Sequence, residues 1–292
     1  MASFDRVALI FNPNSTGDAE RLAGELREEL GRRLPELPVE LLPTQHAGHA
    51  RDLARDAAAG SRPLVVSVSG DGGYNEVVNG VMDAGNAEAT CAVLAAGNAN
   101  DHRRTTRRRP LADAIVEGAV THIDLLRLAV DGAESWTRYA HSYIGLGLTP
   151  IVAVDLEKGS KGSFKEMVTV VRAFARFRPF EITVADGSTH RFDSIVFANI
   201  AEMAKVATLS EEGRPDDGVF EVITLEHTAK WRVLATALRA GLRGLGEQPS
   251  VREYRFTTRK PMPIQVDGEV MDLAQGARAH VTIAAHCLAT VV

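Results

Sequence analysis

The sequence predicts two domains in series, an α/β domain on a parallel sheet over residues 1–123 and a β-rich, sandwich-like domain over residues 124–292. Three observations carry this. In the first half, short apolar runs alternate with amphipathic stretches, as strands do when crossover helices join them. From about Asp124 the texture changes to longer alternating segments, the pattern of an antiparallel sheet. A chain of 292 residues also exceeds the size at which one hydrophobic core usually suffices.

The first strand is Arg6 to Phe11, and the next segment puts Leu22, Leu26, Leu30 and Leu34 on one helical face. Val39 to Leu42 and the Ala-rich stretch Ala50 to Ala59 repeat the strand and helix signals. Leu64 to Ser69 is an apolar run that stops at three glycines around one aspartate, Gly70-Asp71-Gly72-Gly73, and then turns helical. Cys91 to Ala95 follows, ending at Gly97-Asn98-Ala99-Asn100-Asp101. Ligands of parallel sheets sit beyond the carboxyl ends of the strands. Asn12, Thr44, Asp71 and Asn98 all fall there, so four polar loops converge on one crevice.

In the second half, strands are expected at Ile123 to Val130, Arg138 to Ile144, Phe180 to Val184, Phe192 to Asn199, Val219 to Leu225, Tyr254 to Thr258 and Ala279 to Ala284. Two helices interrupt them. One runs through Phe164, Met167, Val168, Val171 and Phe174 after a Ser163 to Glu166 capping box; the other carries Trp231, Leu234, Leu238, Leu242 and Leu245.

The bulk numbers narrow the function classes. With 33 Lys plus Arg against 38 Asp plus Glu, the net charge of -5 offers no global attraction to nucleic acid or anionic lipid, so any basic contact must be local. Met1 to Arg6 places an acid before a five-residue apolar run, and no apolar stretch approaches the ~18 residues of a membrane span. The chain therefore reads as cytoplasmic. Cys91 and Cys287, far apart in sequence, read as two reduced buried thiols.

The glycine turn is the outline of a phosphate site. Glycines let the backbone turn sharply and approach a ligand, and the helix that follows presents N–H groups without intrahelical partners and its positive dipole end. Asp71 sets a carboxylate where a metal ion would bridge phosphate oxygens. No Walker pattern occurs, and Gly159-Ser160-Lys161-Gly162-Ser163 is only superficially like one, so this turn must hold the phosphates.

Four motifs in order, Asn12-Pro13-Asn14-Ser15-Thr16-Gly17, Ser69-Gly70-Asp71-Gly72-Gly73-Tyr74-Asn75-Glu76, Gly97-Asn98-Ala99-Asn100-Asp101 and Asp267-Gly268-Glu269, resemble the diacylglycerol kinase catalytic family, which includes sphingosine kinases and bacterial soluble lipid kinases. The resemblance runs from Arg6 to Ala284. It implies an N-terminal domain like that of NAD kinase and phosphofructokinase, a β-rich lipid-substrate domain, and an active site in the cleft between them. It also implies ATP and Mg²⁺ as cofactors and transfer of the γ-phosphoryl to a hydroxyl of diacylglycerol or a related lipid.

Carried onto matching positions, the resemblance gives Asn12, Pro13, Asn14, Ser15, Thr16, Thr44, Gly70, Asp71, Gly72, Gly73, Tyr74, Asn75, Glu76, Gly97 and Asn98 to the nucleotide. Glu269 corresponds to the proton acceptor, with Asp267 placed to raise its basicity by like-charge coupling, while taken alone Asp267-Gly268-Glu269 reads also as an ordinary hairpin turn. Asp101 and Asp124 match aspartates of a carboxylate and water network reaching the metal at Asp71. Arg214, Asp217 and Val219 match a loop that binds a structural Mg²⁺; the same loop reads equally well as a polar Asp-Asp-Gly turn into a strand.

The chain departs from the pattern at three places. Gly73 stands where most of the family has Thr or Ser, Asn98 where a Thr is usual, and Ser69 where Gly is usual. Two hydroxyls expected at the phosphates are therefore missing. A catalytically silent lipid or nucleotide sensor is the rival this raises, and a soluble NAD kinase is the nearest enzyme rival. Retention of Asp71, Asp124 and Glu269 argues for an active lipid kinase.

Arg103, Arg104, Arg107, Arg108 and Arg109 crowd behind the third motif, where they could hold phosphate or anionic headgroups at the inner face of a membrane. Lys158, Lys161 and Lys165 would widen that patch. His46 and His49 lack a carboxylate or cysteine partner in sequence and read as surface residues. Exposed strand edges in the β-rich half would suit a homodimer.

Overall fold

The structure, a computed structural model, describes residues 3–15, 17–96, 109–132, 134–147, 179–200, 202–203, 207–208, 214–227 and 248–291. Its chain divides into two units, Met1–Leu125 with Ala285–Val292, and Leu126–Ala284.

In the first unit, β1 (Arg6–Phe11), α1 (Ala19–Arg33), β2 (Val39–Pro43), α2 (His49–Ala57), β3 (Pro63–Ser69), α3 (Asp71–Ala84) and β4 (Thr90–Ala95) alternate, followed by α4 (Leu111–Glu117) and the start of β5 (Val120–Asp131). The strands pair in parallel in the order β2-β1-β3-β4. Their apolar side chains build the core: Val7, Leu9, Leu64 and Val66 are buried against Ala23, Leu26 and Leu30 of α1, while Leu22 and Leu34 pack at the margin. The fourfold leucine spacing thus does what an amphipathic stripe does. Gly80 lies so close to the Arg51 carbonyl and Ala54 side chain that a Cβ there would collide with both, which lets α2 and α3 pack tightly.

The winding direction reverses between β1 and β3, which are neighbours although β2 lies between them in sequence. Such a switch point leaves a crevice at the carboxyl ends of the two strands, because their following helices cover opposite faces.

The second unit is antiparallel. It continues β5 and adds β6 (Trp136–Ala140), β7 (Tyr143–Gly147), β8 (Phe180–Val184), β9 (Thr189–Ala198), β10 (Glu202–Met203), β11 (Ala207–Thr208), β12 (Phe220–Glu226), β13 (Ser250–Val251), β14 (Glu253–Thr258), β15 (Met262–Val266), β16 (Glu269–Leu273) and the front of β17 (Arg278–Val291). The order β16-β15-β7-β9-β8-β14-β17 is joined by β12 on β9. Phe197 anchors its core, with ring centroids 5.1 Å from Tyr254 and 5.9 Å from Phe220, the latter edge-on. The two helices expected in this half, with the Ser163 cap and Lys158, Lys161 and Lys165, lie outside the described residues.

One expected strand is corrected. Arg138 to Ile144 is two strands, β6 ending at Ala140 and β7 beginning at Tyr143. The cause is Asp267: its carboxylate accepts the N–H groups of His141 (2.7 Å), Ser142 (3.0 Å) and Tyr143 (2.8 Å), drawing the backbone into a corner.

Strand β17 serves both units. Thr282 pairs with Glu253 of β14, whereas Ala289 and Thr290 pair in parallel with Thr90 and Cys91 of β4. Through β17 the chain returns from the second unit to the first.

Candidate active site

A cavity of about 470 Å³ opens at the switch point in the first unit. This is within the range of small-molecule sites. Its walls come from the ends of β1 and β3, the loop after β2 and the first turns of α3, and they include Asn12, Asn14, Ser15, Thr44, Gly70, Gly73 and Glu76.

Local sequence explains each wall. Asn12 closes a tight turn on itself, its Oδ1 accepting the Asn14 N–H at 2.9 Å and its carbonyl the Ser15 N–H at 3.1 Å. Thr44 donates its N–H to the Phe11 carbonyl at 2.8 Å, tying the loop after β2 to the end of β1. Gly70 caps α3 in extended conformation and accepts the Tyr74 N–H at 3.1 Å, so the N–H groups of the first helical turn have no partners within the helix. Gly17 abuts the Ala96 carbonyl, where any Cβ would collide with backbone.

Asp71 begins α3, half-buried, and Gly72 beside it is open on its Cβ side. Tyr74 and Asn75 are buried, 0% and 1% exposed, and lie outside the cavity lining, as do Pro13, Asp71 and Gly72. Asn79 Nδ2 donates to the Asn75 carbonyl at 2.9 Å, so this pair braces α3 internally. Thr16, Gly97, Asn98, Asp101 and Arg103 to Arg108 lie outside the described residues. Arg109 is ion-paired with Glu117.

The cavity fits a phosphate-bearing ligand on its own atoms. The Ser15 hydroxyl is buried in this wall without a hydrogen-bond partner among the described residues, a cost relieved when a ligand oxygen meets it. Backbone N–H groups at the start of α3 supply further donors. For a cation, the carboxylates of this turn are Asp71 and Glu76, and among the described residues no cluster of three metal-ligating side chains is gathered. Such a donor set suits an ion held largely by phosphates and water.

In the second unit, Asp267 and Gly268, with φ of 46° and 96°, form a two-residue hairpin loop between Val266 and Glu269. Glu269 opens β16 and is exposed. Asp267 is 1% exposed and committed to the β6–β7 corner, with His141 Nε2 at 3.3 Å from its Oδ2. In the first unit, fully buried Asp124 accepts the His286 N–H at 2.6 Å, holding β17 where its backbone takes a φ of 49°. In the second, Asp217 Oδ1 accepts the Val219 N–H at 3.1 Å and Arg214 pairs with Asp216, the geometry of a self-closed Asp-Asp-Gly turn. Beside it, desolvation first and the Asp217 charge second push the Glu221 carboxyl above its ordinary value.

Sequence reasoning missed four polar contributors to the cavity wall: Gln45, His46, Ser67 and Ser69. His46 stacks on His49 with centroids 4.7 Å apart, and its position two residues after Thr44, at a strand's carboxyl end, was the available signal.

Residues 6–128 match the model of the family described as "Diacylglycerol kinase catalytic domain". The chain is 24% identical over 291 residues to a diacylglycerol kinase of Staphylococcus carnosus, covering 90% of this chain and 88% of that protein. It is 24% identical over 250 residues to a diacylglycerol kinase of Bacillus subtilis, covering 80% of each. A crystal structure of a diacylglycerol kinase from Bacillus anthracis shares the fold, with a TM-score of 0.70 at 16% identity, covering 99% of this chain and 97% of that one. Over residues 6–128 the chain is thus similar to the diacylglycerol kinase catalytic-domain family.

Proposed function

We propose that the protein transfers the γ-phosphoryl group of ATP, with Mg²⁺, to a hydroxyl of diacylglycerol or a related amphiphile. The observation that carries this reading is the switch-point cavity, where an orphaned Ser15 hydroxyl and the open first turn of α3 offer donors to phosphate oxygens. Mg²⁺, when bound, would neutralise charge on the β- and γ-phosphate oxygens.

The residues of the chain divide the remaining work. Asn12 and Thr44 fix the loops over the nucleotide, and Gly70 and Gly73 let the backbone close on the phosphates. Asp71 would order water around a bound cation with Asp101 and Asp124 in support, and Arg214, Asp217 and Val219 would hold a second, structural ion. Glu269 takes the proton of the acceptor hydroxyl as its oxygen bonds to the γ-phosphorus; the bond from that phosphorus to the β,γ-bridging oxygen breaks, and ADP leaves with the electron pair. The acceptor resides at a membrane surface, which the protein would reach from the cytoplasm; among the described residues no helix is long and apolar enough to cross one. A homodimer belongs to the same reading and is tested by light scattering.

The test is a mixed-micelle panel of lipids incubated with purified protein, Mg²⁺ and labelled ATP. One lipid is expected to take up label, and Glu269→Gln to lose turnover while still binding ATP. Label on NAD, or on no acceptor with ATP binding intact, would sink the lipid-kinase reading in favour of the NAD kinase or the silent sensor.

A further inference from the structure

The departures at positions 69 and 73 become one feature when their geometry is considered. Side chains of a helix lean toward its N-terminus. Gly73, in the first turn of α3, would therefore aim a side chain back over the end of β3, where Ser69 stands. A Cβ at position 73 would lie 2.7 Å from both Cβ and Oγ of Ser69. The oxygen could rotate away, but the Cβ is fixed by a strand paired on both sides, with Phe11–Val68 in register on one flank and Ala95–Ser69 on the other. The space a residue-73 side chain would fill is thus occupied by the Ser69 hydroxymethyl group.

That hydroxyl is set up as a donor. Ser67 and Ser69 share one face of β3, as alternate strand residues do, and both line the cavity. Their Oγ atoms are 2.7 Å apart, and Ser69 Oγ donates to its neighbouring Gly70 carbonyl at 2.9 Å. Buried Ser67, 1% exposed, can donate into Ser69 Oγ and leave the Ser69 proton free to rotate from that carbonyl to a ligand oxygen.

We propose that Ser69 supplies the side-chain hydroxyl that meets the phosphate oxygens at this turn, and that Gly73 is kept bare to make room for it. The pair is an exchange of positions: the hydroxyl usual at residue 73 is delivered from the strand instead of the helix. Neither site can be changed alone without cost. This inference rests on the reading that nucleotide phosphates occupy the turn.

Calorimetric titration with ATP and with adenosine, on the wild type and four variants, tests it without requiring the lipid acceptor. Ser69→Ala is expected to weaken ATP by about tenfold, one charge-assisted hydrogen bond, while leaving adenosine affinity unchanged. Gly73→Thr alone is expected to lower the melting temperature or weaken ATP by more than Ser69→Ala does. Ser69→Gly is expected to match Ser69→Ala in ATP affinity, and Ser69→Gly with Gly73→Thr together to return it to within about threefold of wild type. ATP affinity unchanged in Ser69→Ala, or Gly73→Thr no better tolerated together with Ser69→Gly than on its own, would overturn the inference alone. A wild-type protein that binds no ATP would remove the nucleotide reading and the inference with it.

Discussion

Two turns that each contain an Asp-Gly pair, Gly70-Asp71-Gly72-Gly73 in the first unit and Asp267-Gly268-Glu269 in the second, put it to different uses. In the first, the acid is half-buried at the mouth of a helix, and the glycines leave backbone N–H groups uncovered. In the second, the leading acid is sealed inside and holds three backbone N–H groups of a distant corner, while the glycine supplies only the φ of 96° that the hairpin requires. One turn is open to a ligand and the other is closed on its own protein, apart from Glu269. The Asp-Gly pair of the hairpin is therefore structural, its carboxylate committed to three backbone N–H groups.

The largest expected effect tests that contrast directly. Asp267→Ala strands the N–H groups of residues 141–143 and should cost the second unit on the order of 3 kcal/mol or more in denaturant unfolding. A loss below about 1 kcal/mol would break the reading of a carboxylate that closes on its own protein.

Next come the glycines. Gly268→Ala forces a side chain onto a left-handed backbone and should destabilise by roughly 1–2 kcal/mol. Gly72→Ala meets nothing within 4 Å and gains helix propensity, so it should be neutral or stabilising by up to about 1 kcal/mol. Its ATP affinity should stay unchanged, because Gly72 lies outside the cavity lining; a fall would bring the phosphates against this residue.

The smallest effect concerns the thiols of the first unit. Burial pushes the Cys91 thiol far up and Cys287 up to about 11. Both should react slowly with a disulfide reagent at pH 7.5 and promptly once unfolded. The folded state keeps the Cys287 proton longer than the unfolded chain does, so stability is flat below about pH 8.5 and falls as pH rises toward 11. Cys287→Ser should flatten that alkaline slope, as thermal melts at pH 8 and 10 would read out.

The parallel sheet was legible because its causes are local: Val65, Val66 and Val68 write a strand, and Gly70 to Gly73 write its end. The loops at Asn12 and Thr44 followed from strand ends alone. The break at His141 was not legible, since the residue that causes it is Asp267, 126 positions away. The same distance hid what Asp267 does, and sequence supplied only its neighbour Glu269 as a reason for it. The contact between Ser69 and position 73 was hidden differently, because two departures four residues apart look independent until the helix is seen to lean one over the other.

Strand β17 has a consequence for synthesis on the ribosome. Residues 285–292 supply the neighbour of β4, so the N-terminal unit emerges from the exit tunnel with one sheet flank bare and stays so while the whole second unit is translated. Completion of the nascent α/β layer is thus timed by its most distant segment, and a ribosome stalled near codon 280 would hold an unfinished sheet.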